Sequence, residues 1–280
     1  MSSIENGRKQ RFITGAAAAA AAIGAFAVAG PANAVAPVTA ADRAPKPTIV
    51  LEHGAFADGS SWDGVIRDLR RDGYPVVAAA NPLRGPASDA ASLRSLIAHI
   101  KGPVVLVGHS YGGSVISAAG HDNPQVKASV YVAAFLPAPG ETALELTNRF
   151  PGSTLPGTLD PVPYTAADGS TGTDLYIQQD SFRHQFAADV PAEQAALMAA
   201  TQRPIAQAAL TEKATVAAWE TVPSWDIVTT QDLNIPSAAQ EFMARRAHAH
   251  TTEVAASHSV AVSHPDVVAG VIEKAARATR

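Results

Sequence analysis

The sequence predicts an α/β fold, with a mainly parallel sheet, helices on both faces and an inserted helical cap. Three observations point there. Strand-like and helix-like segments alternate along most of the chain. Residues 103–113 read as a strand buried on both faces that turns abruptly into a helix. Residues from about 136 to 222 separate two strands by far more than a crossover needs, and inserts of that length are usually functional.

The elements follow in order. Residues 47–52 read as a strand, and 61–72 as a helix with Trp62, Val65, Ile66 and Leu69 on one face. A strand at 75–80 and a helix at 89–100, with Leu93, Leu96, Ile97 and Ile100 inward, come next. Val104, Val105, Leu106 and Val107 form an unbroken aliphatic strand, and Ser114 to Ala119 a helix of small residues behind it. Further strands are expected at 126–134, 225–229 and 250–255. Ser237 with Gln240 reads as a capping box opening a helix to about residue 247. Ser263, with Pro265 and Asp266 in the first turn, opens the last helix, which turns Val267, Val268, Val271 and Ile272 inward. Within the insert, helical patches at 143–149, 174–186 and 192–200 surround a Pro/Gly-rich stretch at 151–172. Its aromatics either line an apolar pocket or form the cap's own core, and Phe182 and Phe186, with Phe56 outside the insert, are the candidate pocket residues.

The N-terminus has a different character. Arg8, Lys9 and Arg11 precede an uncharged, alanine-rich run from residue 12 to 30, and Pro31-Ala32-Asn33-Ala34 supplies a small-x-small site. This layout predicts a signal peptide over residues 1–34, cleaved after about Ala34, and a secreted, extracellular domain over 35–280. The alternative is a retained membrane anchor, which the weak hydrophobicity of the alanines disfavours. Lys9-Gln10 interrupts the arginines and so argues against a twin-arginine signal. The chain carries 21 Lys and Arg against 25 Asp and Glu; losing the leader removes three basic and one acidic residue and takes the formal charge from −4 to −6. That balance argues against nucleic acid and against stable association with anionic membranes. The absence of cysteine excludes disulfides, thiol catalysis and cysteine-ligated metals.

Gly108-His109-Ser110-Tyr111-Gly112 is a G-x-S-x-G turn between a buried strand and a helix. Such a turn strains the backbone, lifts the hydroxyl clear and aims the first helical N–H groups at whatever it attacks. The competing reading is a glycine-rich turn in which Ser110 merely caps the helix. A serine nucleophile needs a base, and the base needs a partner to orient it. Of nine histidines, His258 stands just past the exit of the last strand, where chemistry gathers in open α/β sheets. His264 is the rival, but the Pro265 beside it commits it to a helix start. Asp232 lies at the exit of the strand over 225–229 and is the candidate acid; Asp226 sits within that strand, and Glu141 is a reserve. The order Ser110, Asp232, His258 is nucleophile, acid, base. The early turn His53-Gly54-Ala55 follows a strand, so the N–H groups of Ala55 and Tyr111 are the candidate oxyanion donors.

With these residues in view, the sequence resembles the α/β-hydrolases, and within them the small esterase-like group related to plant methylesterases and hydroxynitrile lyases. The resemblance covers most of residues 35–280. It rests on His53-Gly54-Ala55 with Trp62, Gly108 to Gly113, Gln231-Asp232 through Ile235-Pro236, and Ser257-His258 followed by Ser263-His264-Pro265. It implies a Ser-Asp-His triad and no cofactor; separately, the apolar cap suggests a small or medium apolar carboxylic ester as substrate, and no metal-binding motif is present, so no metal is expected. The lyases carry threonine where Gly54 stands and lysine where Ser259 stands, so cyanohydrin cleavage is not expected. Dehalogenases and epoxide hydrolases of this fold carry aspartate in place of Ser110. Two other readings stay open: a perhydrolase or haloperoxidase-like enzyme on the same triad, and a non-catalytic protein of this fold that captures a small ligand.

Overall fold

The computed structural model describes residues 45–279; the expected leader and its cleavage site lie outside the described residues. Six parallel strands form the main sheet, in the order β2-β1-β3-β4-β8-β9. They are β1 (Thr48–Glu52), β2 (Val76–Ala79), β3 (Val104–His109), β4 (Val126–Val132), β8 (Ser224–Thr229) and β9 (His250–Val254). The connecting helices are α1 (Asp63–Arg71), α2 (Pro86–Ala98) and α3 (Gly112–Gly120), with α7 (Ser237–Arg246), α8 (Val260–Ser263) and α9 (Pro265–Ala278) later in the chain. The insert carries α4 (Ala143–Asn148), β5 (Leu159–Thr165), β6 (Thr171–Ile177), α5 (Gln179–Phe186), α6 (Ala192–Thr201) and the two-residue β7 (Ile205–Ala206).

The sheet is buried on both faces because its central strands carry unbroken aliphatic runs, Ile49 to Leu51 and Val104 to Val107, and all six residues of β3 are buried. Ile49, Leu51, Val105 and Val107 face one core, closed by Val65 and Leu69 of α1 and Val268, Val271 and Ile272 of α9. Val50, Val104 and Leu106 face the other, closed by Leu93 and Ile97 of α2, Val115 and Ile116 of α3, and Met243 of α7. The insert extends this second core through Phe182, Phe186 and Ile205. Among the described residues no helix is long and apolar enough to cross a membrane.

Two segments depart from expectation. Residues 174–177 are strand, not helix. Thr171, Thr173 and Tyr176 suit a pleated surface, and β6 pairs antiparallel with β5 and β7. Asp168 closes the hairpin turn by accepting from the Ser170 N–H (2.9 Å). Pro161 and Pro163 are tolerated because β5 is an edge strand. The cap therefore combines helices with a three-stranded sheet. The expected capping box also fails: α7 is preceded by Pro236 and has no side-chain cap. Gln240 is instead fully buried, turned toward the loop that follows β8. The box that does form is Thr142 with Glu145, at the start of α4.

Candidate active site

All four candidate loops leave the sheet at the carboxyl ends of strands. Ser110 is the first residue after β3, Ala55 the third after β1, Asp232 the third after β8 and His258 the fourth after β9. Since β1, β3, β4, β8 and β9 are neighbours in register, these short exits deliver their side chains to one rim.

Ser110 has φ 54, a left-handed conformation that a non-glycine residue adopts only where its surroundings impose it. The carbonyl of Ser110 accepts from the Phe135 N–H (3.1 Å) and its own N–H donates to the Val132 carbonyl (3.2 Å), which pin the turn from β4. A Cβ on Gly112 would lie 2.5 Å from the Glu52 carbonyl oxygen, so only glycine lets α3 start this close to β1. A Cβ on Gly54 would lie 2.7 Å from the Ser110 Cβ. The position where the resembling lyases carry threonine thus has no room for a side chain here.

Asp232 is a prepared anion. Its Oδ1 accepts from the Asn234 N–H (2.8 Å) and the Ile235 N–H (3.0 Å). Its Oδ2 accepts from the Thr229 hydroxyl (2.9 Å), the Gln240 side-chain amide (3.0 Å) and His258 Nδ1 (2.7 Å). Burial pushes its carboxyl up, but the charge and hydrogen bond of His258, with the two backbone N–H groups, outweigh it, so the group sits below the ordinary aspartate range. A carboxylate can only accept, so His258 Nδ1 carries a proton, and in the neutral ring Nε2 is then the nitrogen with the free lone pair. His109 Nε2 likewise donates to the His258 carbonyl (2.9 Å), and burial lowers the His109 pKa to about 3, so that ring stays neutral. His53 donates from Nδ1 to the Gly54 carbonyl (2.9 Å) and is also depressed by burial. Both flanking histidines are packing groups of the two turns.

Ser110 and His258 line one apolar cavity of about 70 Å³, together with Ala55, Phe56, Tyr111, Phe135 and Ile235. Among the described residues no hydrogen bond joins the Ser110 hydroxyl to the imidazole; both residues line the same cavity. Among the described residues neither the Ala55 nor the Tyr111 N–H donates to a backbone carbonyl, and both residues line the cavity. Phe56 lines this cavity. Phe182 and Phe186 do not: both are buried in the second core. Phe186 packs edge-on behind the imidazole of His258, with ring centroids 5.0 Å apart, and Phe182 lies behind it at 5.0 Å.

The rival groups stand elsewhere. Glu141 accepts from Arg246 (2.8 Å), and Asp226 is buried with neither carboxylate oxygen partnered. His264 begins α9 and lies 3.7 Å from Asp189. Sequence reading missed three supports. Gln240 braces Asp232. Asp189 accepts from the Ser257 N–H (3.2 Å) and hydroxyl, and the Ser259 hydroxyl donates to the Phe186 carbonyl (2.8 Å), which ties the cap to both neighbours of His258. Asp89, 1% exposed, accepts from the Tyr111 phenol (2.8 Å). Gln240 was visible in the sequence, but its spacing from Ser237 suggested a helix cap; Asp189 and Asp89 carry no local signal.

A family model described as the alpha/beta hydrolase family matches residues 49–271. The chain belongs to that family. Its relatives include an alpha/beta hydrolase of Aspergillus novofumigatus, 26% identical over 253 residues that cover 82% of this chain and 97% of the relative. A carbendazim-hydrolyzing esterase of a Nocardioides species is 31% identical over 110 residues, 35% of this chain and less than half (46%) of the esterase. Among solved structures, polyneuridine aldehyde esterase superposes with a TM-score of 0.72 at 18% identity, over 82% of this chain and 98% of the other. This chain is thus an alpha/beta hydrolase with hydrolases and esterases among its homologues.

Proposed function

We propose that this alpha/beta hydrolase cleaves a small or medium apolar carboxylic ester through a triad of Ser110, His258 and Asp232, without cofactor or metal. The observation that carries the reading is the 2.7 Å bond from His258 Nδ1 to Asp232 Oδ2, on an imidazole that shares an apolar cavity with a strained serine. The Ser110 hydroxyl attacks the ester carbonyl while His258 Nε2 takes its proton. Negative charge on the carbonyl oxygen is held by the Ala55 and Tyr111 N–H groups. The imidazolium then gives its proton to the leaving alkoxide, and water, deprotonated by the same nitrogen, releases the acid and restores the serine. Asp232 keeps the imidazole in the required tautomer and stabilises its charged form. A substrate carbonyl drawn into the cavity would tighten the serine–imidazole contact, as catalytic hydrogen bonds often do on binding.

The test is hydrolysis of p-nitrophenyl acetate and butyrate by the purified chain beside Ser110→Ala. Loss of roughly a thousandfold or more in kcat is expected for the variant, the scale on which triad serines act. Equal slow turnover by the two would sink the reading and point to a ligand-binding protein. The leader pattern of residues 1–34 supports export of the enzyme, with a mature N-terminus near Val35. Intact-mass analysis of protein from the medium checks this, and a full-length mass found only with the cells would refute it.

A further inference from the structure

Two open spaces meet at one side chain. The Ser110 cavity, about 70 Å³, and a groove of about 380 Å³ share a single lining residue, Phe56. The groove runs between α6, which contributes Leu197 and Met198, and the face formed by Arg67 of α1 and Pro265 of α9. Leu197 is 64% exposed, an unusual amount for a large aliphatic side chain. Phe56 directly follows Ala55, the proposed oxyanion donor, and lines the same cavity.

Phe56 is held in place against its own preference. It has φ 61, a region that bulky side chains rarely occupy. Its N–H donates to the Arg203 carbonyl of the cap (2.9 Å), and its ring meets Phe186 edge-on at 6.2 Å. Contacts on backbone and ring over-determine the conformation, which is how strained residues persist. Phe56 is 5% exposed and is the lining residue that the two spaces share.

We propose that Phe56 is the specificity-determining wall of the ester site. It limits turnover to esters that are compact on its side, and the groove beyond is the space a longer alkyl arm occupies once the wall is lowered. The proposal rests on the serine-hydrolase reading above and adds the residue that sets substrate size. Esters with a two-carbon acyl arm fit the cavity as it stands. An eight-carbon arm exceeds it, and past Phe56 the groove offers Leu197 and Met198 among polar and charged residues that include Asp58, Asp63 and Arg67.

The experiment compares kcat/KM for p-nitrophenyl acetate and octanoate in the parent, in Phe56→Ala and in the double variant Phe56→Ala/Leu197→Lys. The octanoate-to-acetate ratio is expected to rise at least tenfold in Phe56→Ala. It should fall back toward the parent in the double variant, where a charge sits in the groove. The Leu197 substitution is exposed and places a lysine four residues after Glu193, a favourable helical spacing. Ratios are taken within each protein, so a loss of folded fraction cancels. A ratio within twofold of the parent in Phe56→Ala overturns the wall, and a gain that survives Leu197→Lys overturns the groove. If the parent shows no Ser110-dependent hydrolysis, the function fails but the wall is still read by calorimetric binding of 2-decanone. That ketone should bind at least tenfold more tightly to Phe56→Ala, and equal affinity would refute the wall.

Discussion

Tyr111 works at both ends. Its N–H is a proposed oxyanion donor, and its phenol donates to the buried Asp89 carboxylate at 2.8 Å. Asp89 in turn accepts from the Arg84 N–H (3.0 Å) and the Gly85 N–H (3.3 Å), so it is fastened to the start of α2. Burial, followed by the charge and hydrogen bond of Asp89, pushes the phenol pKa well above its ordinary value, and the hydroxyl stays a neutral donor. The side chain therefore anchors the residue whose backbone follows the nucleophile. Tyr111→Phe keeps the ring and Asp89's other partners but removes one donor from a buried charge. A stability loss of about 2 kcal/mol is expected, the usual scale for a hydrogen bond to a charged group. With the backbone less firmly held, kcat should fall several-fold while KM changes little, because the donor acts mainly in the transition state. Urea unfolding and steady-state kinetics check both; unchanged kcat with lowered stability would leave the phenol a purely structural role.

Elements whose burial is complete were easy to read, because a strand covered on both faces cannot alternate. Val104 to Val107 shows that run, and the glycines after it have one explanation, close approach of strand and helix. Asp232 and His258 were legible as strand exits for the same reason: once β8 and β9 are placed, few acids and histidines remain beyond their ends. The cap resisted reading because its local preferences conflict. Leu159 to Ile177 holds two prolines and two glycines, which argue for loop, yet its threonines and tyrosines pair as a hairpin supported from far along the chain by β7 and Arg84. Phe182 and Phe186 looked like pocket residues by composition. An aromatic does not reveal from sequence whether it faces a cavity or a neighbouring ring, and here Phe186 packs edge-on against His258. Gln240 misled for a related reason. A helix-start glutamine reaches either back to its own cap or across to another element, and the buried carboxylate of Asp232 was the stronger acceptor.

Across the whole molecule, buried ionisable groups set how stability responds to pH. Burial, with the neighbouring Asp89 adding to it, raises the Glu52 pKa to about 8, and burial raises Asp226 well above the ordinary aspartate range. Both hold a proton in the folded state that the unfolded chain releases above pH of about 4 to 5. The stability they contribute is therefore fully present below that point and falls as pH rises toward their folded pKa values. Asp232, Glu141 and Asp189 are lowered instead, each because hydrogen-bonding partners outweigh burial, so their contribution is lost only in acid. His53 and His109 are depressed by burial, and their contribution is complete above about pH 7. From pH 7 to 8 the raised carboxyls act without that opposition, and stability should fall. Each proton difference contributes a slope of at most about 1.4 kcal/mol per pH unit. Glu52→Gln/Asp226→Asn keeps the shapes and removes both titrations. The difference in unfolding free energy between this variant and the parent, from urea titrations at pH 5, 6, 7 and 8, should shift steadily in favour of the variant as pH rises. A difference that stays constant would mean that neither carboxyl is protonated in the folded protein, and that the core tolerates two unpaired charges.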